Sequence, residues 1–272
     1  MNDIFSLKGK VVAITGGGGV LCGELAKAAA RAGAKVAVLD LNEQAAAAVA
    51  AAIKEQGGQA IGVKCNVLDK DSLTAACQSV ESQFGPVDCL INGAGGNKKE
   101  ATTNPDLSFF DLPADALRFV FDLNVLSAVL TSQVFAKGMA KRGEGVILNI
   151  SSMNSYRPLT KIPAYSAAKA GVSNFTQWLA VHMCQNYSPK IRVNAIAPGF
   201  FLTDQNRFLL TDEKTGGMTP RGQSIISHTP MARFGEPADL LGATLWLLSD
   251  AAAFITGIIV PIDGGFSAFS GV

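Results

Sequence analysis

The chain has 272 residues, 48% hydrophobic and 17% charged, with a formal net charge of +1. That length builds one well-buried core, and the balance excludes an intrinsically disordered chain. It also excludes a protein with the clustered basic face that nucleic-acid binding needs. Five cysteines without a C-x-x-C pair argue against a disulfide framework or a zinc site and for a reducing compartment. The N-terminus lacks a signal-peptide pattern, and no uncharged apolar stretch approaches the roughly 20 residues of a membrane span. The expectation is a cytoplasmic protein with neither membrane nor nucleic-acid partners.

In chain order, short apolar runs alternate with amphipathic stretches. Strands are expected at VVAIT (11–15), KVAVLD (35–40), AIGVKC (60–65), VDCLIN (87–92), GVILNIS (145–151), IRVNAIA (191–197) and GIIVPI (257–262). Helices are expected at 20–32, 43–56, 70–84, about 114–141, 163–186 and 237–249. Apolar strands alternating with helices give a parallel sheet covered on both faces, here a doubly wound α/β fold of seven strands in one domain over 1–272. In such folds ligands sit beyond the carboxyl ends of the strands. The polar segment at about 200–233 is far longer than an ordinary connection and reads as a substrate lid.

Five features carry chemistry. Thr15-Gly16-Gly17-Gly18-Gly19 follows the first strand and opens the first helix, where glycines let the backbone approach a pyrophosphate. Asp40 ends the second strand, at the offset of an acid that accepts hydrogen bonds from a ribose. A carboxylate there repels a 2′-phosphate, favouring NAD over NADP. Tyr165 and Lys169 share one helix face at i, i+4. The lysine charge and an oxidised nicotinamide would lower the phenol pKa and fit Tyr165 for proton transfer. Ser152, ending the fifth strand, can polarise the reacting oxygen. Asn124, polar within an apolar helix, can hold a water in a proton relay.

Together these residues resemble the short-chain dehydrogenase/reductase family over essentially the whole chain. The resemblance implies a single-domain Rossmann fold, a catalytic triad of Ser152, Tyr165 and Lys169, and Asn124 as fourth member. It places Thr15, Gly16, Gly18, Gly19, Val20 and Leu21 at the cofactor, with Asp40 and Leu41 at the adenosine ribose. Asn66 and Val67 match the acid-Val pair at the adenine, and Asn92, Gly93 and Ala94 the family's N-N-A-G segment. Pro198, Gly199, Phe201 and Thr203 fall to the nicotinamide end, and Lys169 to the nicotinamide ribose. Three departures stand out. Val20 and Cys22 occupy the last two glycine positions of T-G-x-x-x-G-x-G, Asn66 replaces an Asp, and Gly93 replaces the second Asn.

The runs TGGGGVLCG, INGAGGN, SSMNSYRPLTKIPAYSAAKA and APGFFLTDQNR look like the D-mannonate oxidoreductase (fructuronate reductase) branch of the family. That resemblance implies a sugar-acid substrate, D-mannonate interconverting with D-fructuronate. A carboxylate needs an Arg or Lys, and hydroxyls need amides. Candidates are Asn97, Lys98 and Lys99 after the fourth strand, and Asn154, Arg157 and Lys161 between Ser152 and Tyr165. Gln205, Asn206, Arg207 and His228 in the lid complete them, with Asn154 and Arg157 foremost. Another polyol or sugar acid, a 3-oxoacyl substrate, and a non-catalytic nucleotide-binding regulator remain as alternatives. The family resemblance further implies a homotetramer packed through the helices at 114–141 and 163–186 and the last strand.

Overall fold

A computed structural model describes residues 4–203, 210–211 and 217–271. Seven strands form one parallel sheet in the order β3-β2-β1-β4-β5-β6-β7. They are β1 (Val11–Thr15), β2 (Lys35–Asp40), β3 (Gln59–Lys64), β4 (Cys89–Asn92), β5 (Gly145–Ile150), β6 (Ile191–Pro198) and β7 (Ile259–Ile262). The helices are α1 (Val20–Arg31), α2 (Glu43–Glu55), α3 (Lys70–Phe84), α4 (Ala114–Phe121), α5 (Ser127–Arg142), α6 (Pro163–Asn186), α7 (Pro220–Ser227) and α8 (Leu241–Leu248).

Both faces of the sheet are covered because successive strand residues point to opposite sides. On β1, Val12 and Ile14 join a core completed by Leu25 of α1, Ile53 of α2 and Leu247 of α8. Val11 and Ala13 join the opposite core, with Leu73 of α3, Phe135 of α5 and Leu179 of α6. The helical run 114–142 is apolar and long enough to cross a membrane. Here its Phe135, Ala136 and Met139 pack into the second core.

The strand order reverses at β1, between β2 and β4, and there the carboxyl ends lie level. Thr15 pairs in register with Asn92, and Asn92 with Asn149. Loops leaving β1 and β4 in opposite directions open a crevice at this point.

Three expectations are revised. The helix at 114–141 is interrupted by a π turn, Asp122–Leu126. The helix at 237–249 begins as a 3₁₀ turn, Pro237–Leu240, before α8. The segment at 200–233 contains α7, whose first turn is capped by Thr219 Oγ1 accepting the Gly222 N–H. Its periodicity is masked by the Gly and Pro that flank it. Residues 204–209 and 212–216 of that segment lie outside the described residues.

Phe135 is 1% exposed. Phe135→Ala is expected to lower stability by about 3–5 kcal/mol in a urea titration. A loss below ~1 kcal/mol would mean that the α5 contact is not part of the core.

Candidate active site

The crevice encloses about 710 Å³. Its first wall grows from the glycine turn. Gly16 has φ +63°, and a Cβ there would lie 2.9 Å from the Ala94 backbone, so the position requires glycine. Gly19 caps α1 without a side-chain hydrogen bond. The first-turn N–H groups of α1 are thus left for another acceptor, while Gly19, Val20 and Leu21 line the crevice. An uncapped helix N-terminus beside close-approaching glycines suits a diphosphate.

Asp40 is already oriented. Its Oδ2 accepts the Gly18 N–H at 3.0 Å and its Oδ1 the Asn42 N–H at 2.9 Å. Lone pairs remain on both oxygens for hydroxyl donors. Leu41, Asn66 and Val67 line the same end. Asn66 Oδ1 accepts the Leu68 N–H at 3.1 Å, which shapes the turn after β3 and leaves that oxygen one further lone pair. These groups fit an adenosine diphosphate by donor set and by shape.

Several expected cofactor residues work from behind the wall. Thr15 is 1% exposed, and its Oγ1 accepts the N–H groups of Gly93 and Ala94 at 3.1 and 3.3 Å. Asn92 points inward, where its Nδ2 donates to Ser132 Oγ and Asn149 Oδ1. Gly18 holds Asp40. Phe201 is buried against Gly235 in a neighbouring cavity. Thr203 does not line the crevice, whereas Pro198, Gly199, Gly93 and Ala94 do.

At the far end stand Ser152, Tyr165 and Lys169. Lys169 is 4% exposed, and its Nζ donates to the Ile150 carbonyl at 2.8 Å. Nζ also lies 5.6 Å from the centre of the Tyr165 ring. Burial pulls the Lys169 pKa down to about 8. Burial pushes the Tyr165 phenol up, and its hydrogen bond with Ser152 opposes that rise. The expected lowering of the phenol pKa concerned a site that also holds an oxidised nicotinamide; in the protein alone the shift is upward. Lost hydration outweighs the hydrogen bond with Ser152, which favours the phenolate.

Asn124 occupies the π turn. Its Nδ2 donates to the carbonyls of Val120 and Gly96, each at 2.7 Å, and its Oδ1 accepts the Gly96 N–H at 3.1 Å. The side chain thus meets the Val120 carbonyl, one turn back, at the junction of α4 and the π turn. Both amide hydrogens are committed, so a water held by this side chain has only Oδ1 to meet.

The expected substrate residues do not gather at this cleft. None of those described lines it. The 3₁₀ turn Met153–Ser155 turns Asn154 inward, where it is 6% exposed with Oδ1 unpartnered. The same turn sends Arg157 outward, and its Nε donates to the Ser267 carbonyl at 3.1 Å. Asn97 Nδ2 donates to Thr102 Oγ1, and Lys98 lies over the Phe119 ring. Lys99 opens a 3₁₀ turn, Lys99–Ala101, and the Lys161 carbonyl accepts the Thr103 N–H. His228 Nδ1 lies 2.7 Å from the Ser224 carbonyl. Gln205, Asn206 and Arg207 fall outside the described residues.

Sequence reasoning missed Cys65, Leu68, Gly96, Phe119, Leu123, Ile150 and Ser151, all in the cleft wall. Gly96 was open to discovery from the glycine-rich run after Asn92. Phe119 and Leu123 were open from their place just before Asn124 on the same helix.

The Lys169 charge is disfavoured by burial, so the folded protein binds fewer protons here than the unfolded chain between about pH 8 and pH 10.5. Stability contributed by this site rises with pH across that window. The melting temperature of the wild type relative to Lys169→Met is expected to increase as pH is raised through it. A difference that stays constant would contradict a buried, depressed Lys169.

The sequence profile of the family described as enoyl-(acyl carrier protein) reductase matches residues 21–267. A solved structure from Haemophilus influenza, described as a candidate D-mannonate oxidoreductase with bound NAD, is 49% identical, covers 98% of each chain and superposes with a TM-score of 0.92. The 7α-hydroxysteroid dehydrogenase of Escherichia coli is 36% identical, covering 97% of this chain and 96% of its own. The 5-keto-D-gluconate 5-reductase of Escherichia coli is 32% identical, covering 97% and 98%. With a strand order reversing over a glycine turn, and Tyr165 and Lys169 meeting Ser152 at its far end, these likenesses place the chain in one family. It is a member of the short-chain dehydrogenase/reductase family, an oxidoreductase acting on CH–OH groups.

Proposed function

We propose that this enzyme reduces the keto group of a sugar acid with NADH, reversibly, D-fructuronate to D-mannonate being the leading pair. The observation that carries this reading is the crevice itself, with Asp40 at one end and Tyr165, Ser152 and Lys169 at the other. The NAD in the 49%-identical structure supports the cofactor, and that protein's description, with the keto-gluconate reductase, supports the substrate class.

When bound, the nicotinamide supplies or takes a hydride. Asp40 accepts the ribose hydroxyls of NADH and repels a 2′-phosphate. The α1 N-terminus receives the diphosphate. Tyr165 donates a proton to the carbonyl oxygen, and its raised pKa keeps it in the acid form at neutral pH. Ser152 donates to the same oxygen as negative charge develops. Lys169 supplies positive charge beneath the phenol as it gives up its proton, and Asn124 holds the Gly96 backbone in place. The polar segment at about 200–233 is the candidate substrate lid of this reading, with its Gln205 and Arg207 outside the described residues.

The enzyme works in the cytoplasm as a homotetramer. Trp178 on α6 and Tyr187 just after it are 57% and 55% exposed beside an apolar groove shared with α5, a face that a second copy would cover. A hydroxysteroid substrate is the second reading. It is favoured by a cleft wall that includes Phe119 and Leu123 but none of the described polar candidates.

The test follows loss of NADH absorbance with D-fructuronate, 5-ketogluconate and a 7-oxosteroid in parallel. D-Fructuronate is expected to react fastest, with NADH well ahead of NADPH. Steroid turnover exceeding that of both keto acids would establish the second reading. Tyr165→Phe is expected to lose about 10²–10⁴-fold in turnover while still binding NADH. Full activity in that variant would overturn the mechanism.

A further inference from the structure

Cys22 lies in the first turn of α1 and Gly93 directly after β4, and both line the crevice. A Cβ built on Gly93 would fall 2.3 Å from Cys22 Sγ and 2.6 Å from the Thr15 carbonyl oxygen. The sulfur thus occupies the volume that a side chain at position 93 would need. Two departures from the family pattern are one exchange: bulk added at 22 is matched by bulk removed at 93.

The strip that begins at Gly93 is held along its length. Thr15 Oγ1 accepts the N–H groups of Gly93 and Ala94. A Cβ on Gly95 would lie 2.7 Å from Asn124 Oδ1 and 3.1 Å from Lys169 Nζ. Gly96 exchanges two hydrogen bonds with Asn124. This strip spans from the glycine turn to Lys169, and Cys22 abuts its first residue.

We propose that Cys22 is a positioning residue whose sulfur sets the spacing between the first turn of α1 and the Gly93–Gly96 strip, and so the seat of the dinucleotide diphosphate. The proposal rests on reading the crevice as a dinucleotide site. It differs from a general packing role in that residues 22 and 93 must be coupled, to each other and to NADH affinity.

The test is a double-mutant cycle of Cys22→Gly and Gly93→Ala, read by NADH fluorescence titration and by thermal melting. Gly93→Ala is expected to weaken NADH binding about 10-fold or more, through the forced separation of the strip from α1. Adding Cys22→Gly is expected to return part of that loss, the Thr15 carbonyl contact preventing the rest. Cys22→Ser, close in volume, is expected to bind as the wild type does. Independent effects of the two substitutions on NADH binding would overturn the proposal, coupling confined to melting being a packing role alone. Should Gly93→Ala fail to fold, Cys22→Leu enlarges the same contact from the other side, and unchanged NADH affinity in it would equally overturn the proposal. Failure of the wild type to bind NADH would refute the dinucleotide reading instead, with coupling in melting temperature still deciding whether the two residues form a complementary pair.

Discussion

The ammonium of Lys169 gives one protein hydrogen bond, to the Ile150 carbonyl, and has no carboxylate partner among the described residues. A charge so buried is costly unless the surroundings repay its lost hydration. Here the repayment is partial, a carbonyl below and an aromatic face beside it, and the pKa falls accordingly. The rest of the site depends on this arrangement. β5 must end where its last carbonyl meets the ammonium. α6 must begin where Tyr165 stands over it, and the Ser151 hydroxyl fixes α6 by donating to the Lys169 carbonyl.

The fold makes that geometry affordable by locking the strand ends. Asn92, Asn149 and Thr176 form a buried chain of hydrogen bonds from β4 through β5 to α6. Such a chain fixes register because each member would be stranded by a slip. It holds the strand that launches the Gly93–Gly96 strip level with the strand that launches Ser152. The π turn at Asn124 then fastens the other edge of the strip. The glycine turn and the Ser152, Tyr165 and Lys169 cluster thus share one wall, rather than standing on two elements free to move apart.

Much of this was legible in the sequence. The seven strands follow from apolar runs such as VVAIT and KVAVLD, because strands buried on both faces need continuous hydrophobicity. The glycine turn, Asp40 and Tyr165 were readable because each sits at or near an element boundary, and Lys169 from its i, i+4 spacing to Tyr165. The π turn was not, since an Asn within FVFDLNVLSAVL leaves helical periodicity intact. Nor was the direction of Asn92 or Asn154, where one residue of phase decides between cleft and core. Arg157 was misplaced for a related reason. Closeness to Ser152 in sequence does not give closeness in space once a 3₁₀ turn redirects the chain. The Cys22–Gly93 match could be seen only in three dimensions, since a long stretch of chain separates the two.

The central claim is that a buried, chargeable Lys169 supports proton donation by Tyr165. The most direct measurement is the rate of NADH-driven keto-acid reduction from about pH 6 to about pH 10. The account predicts a plateau at low pH and a fall above about pH 8, as Lys169 loses its proton while the Tyr165 phenol keeps its own. A rate that stays flat across the whole range would contradict it.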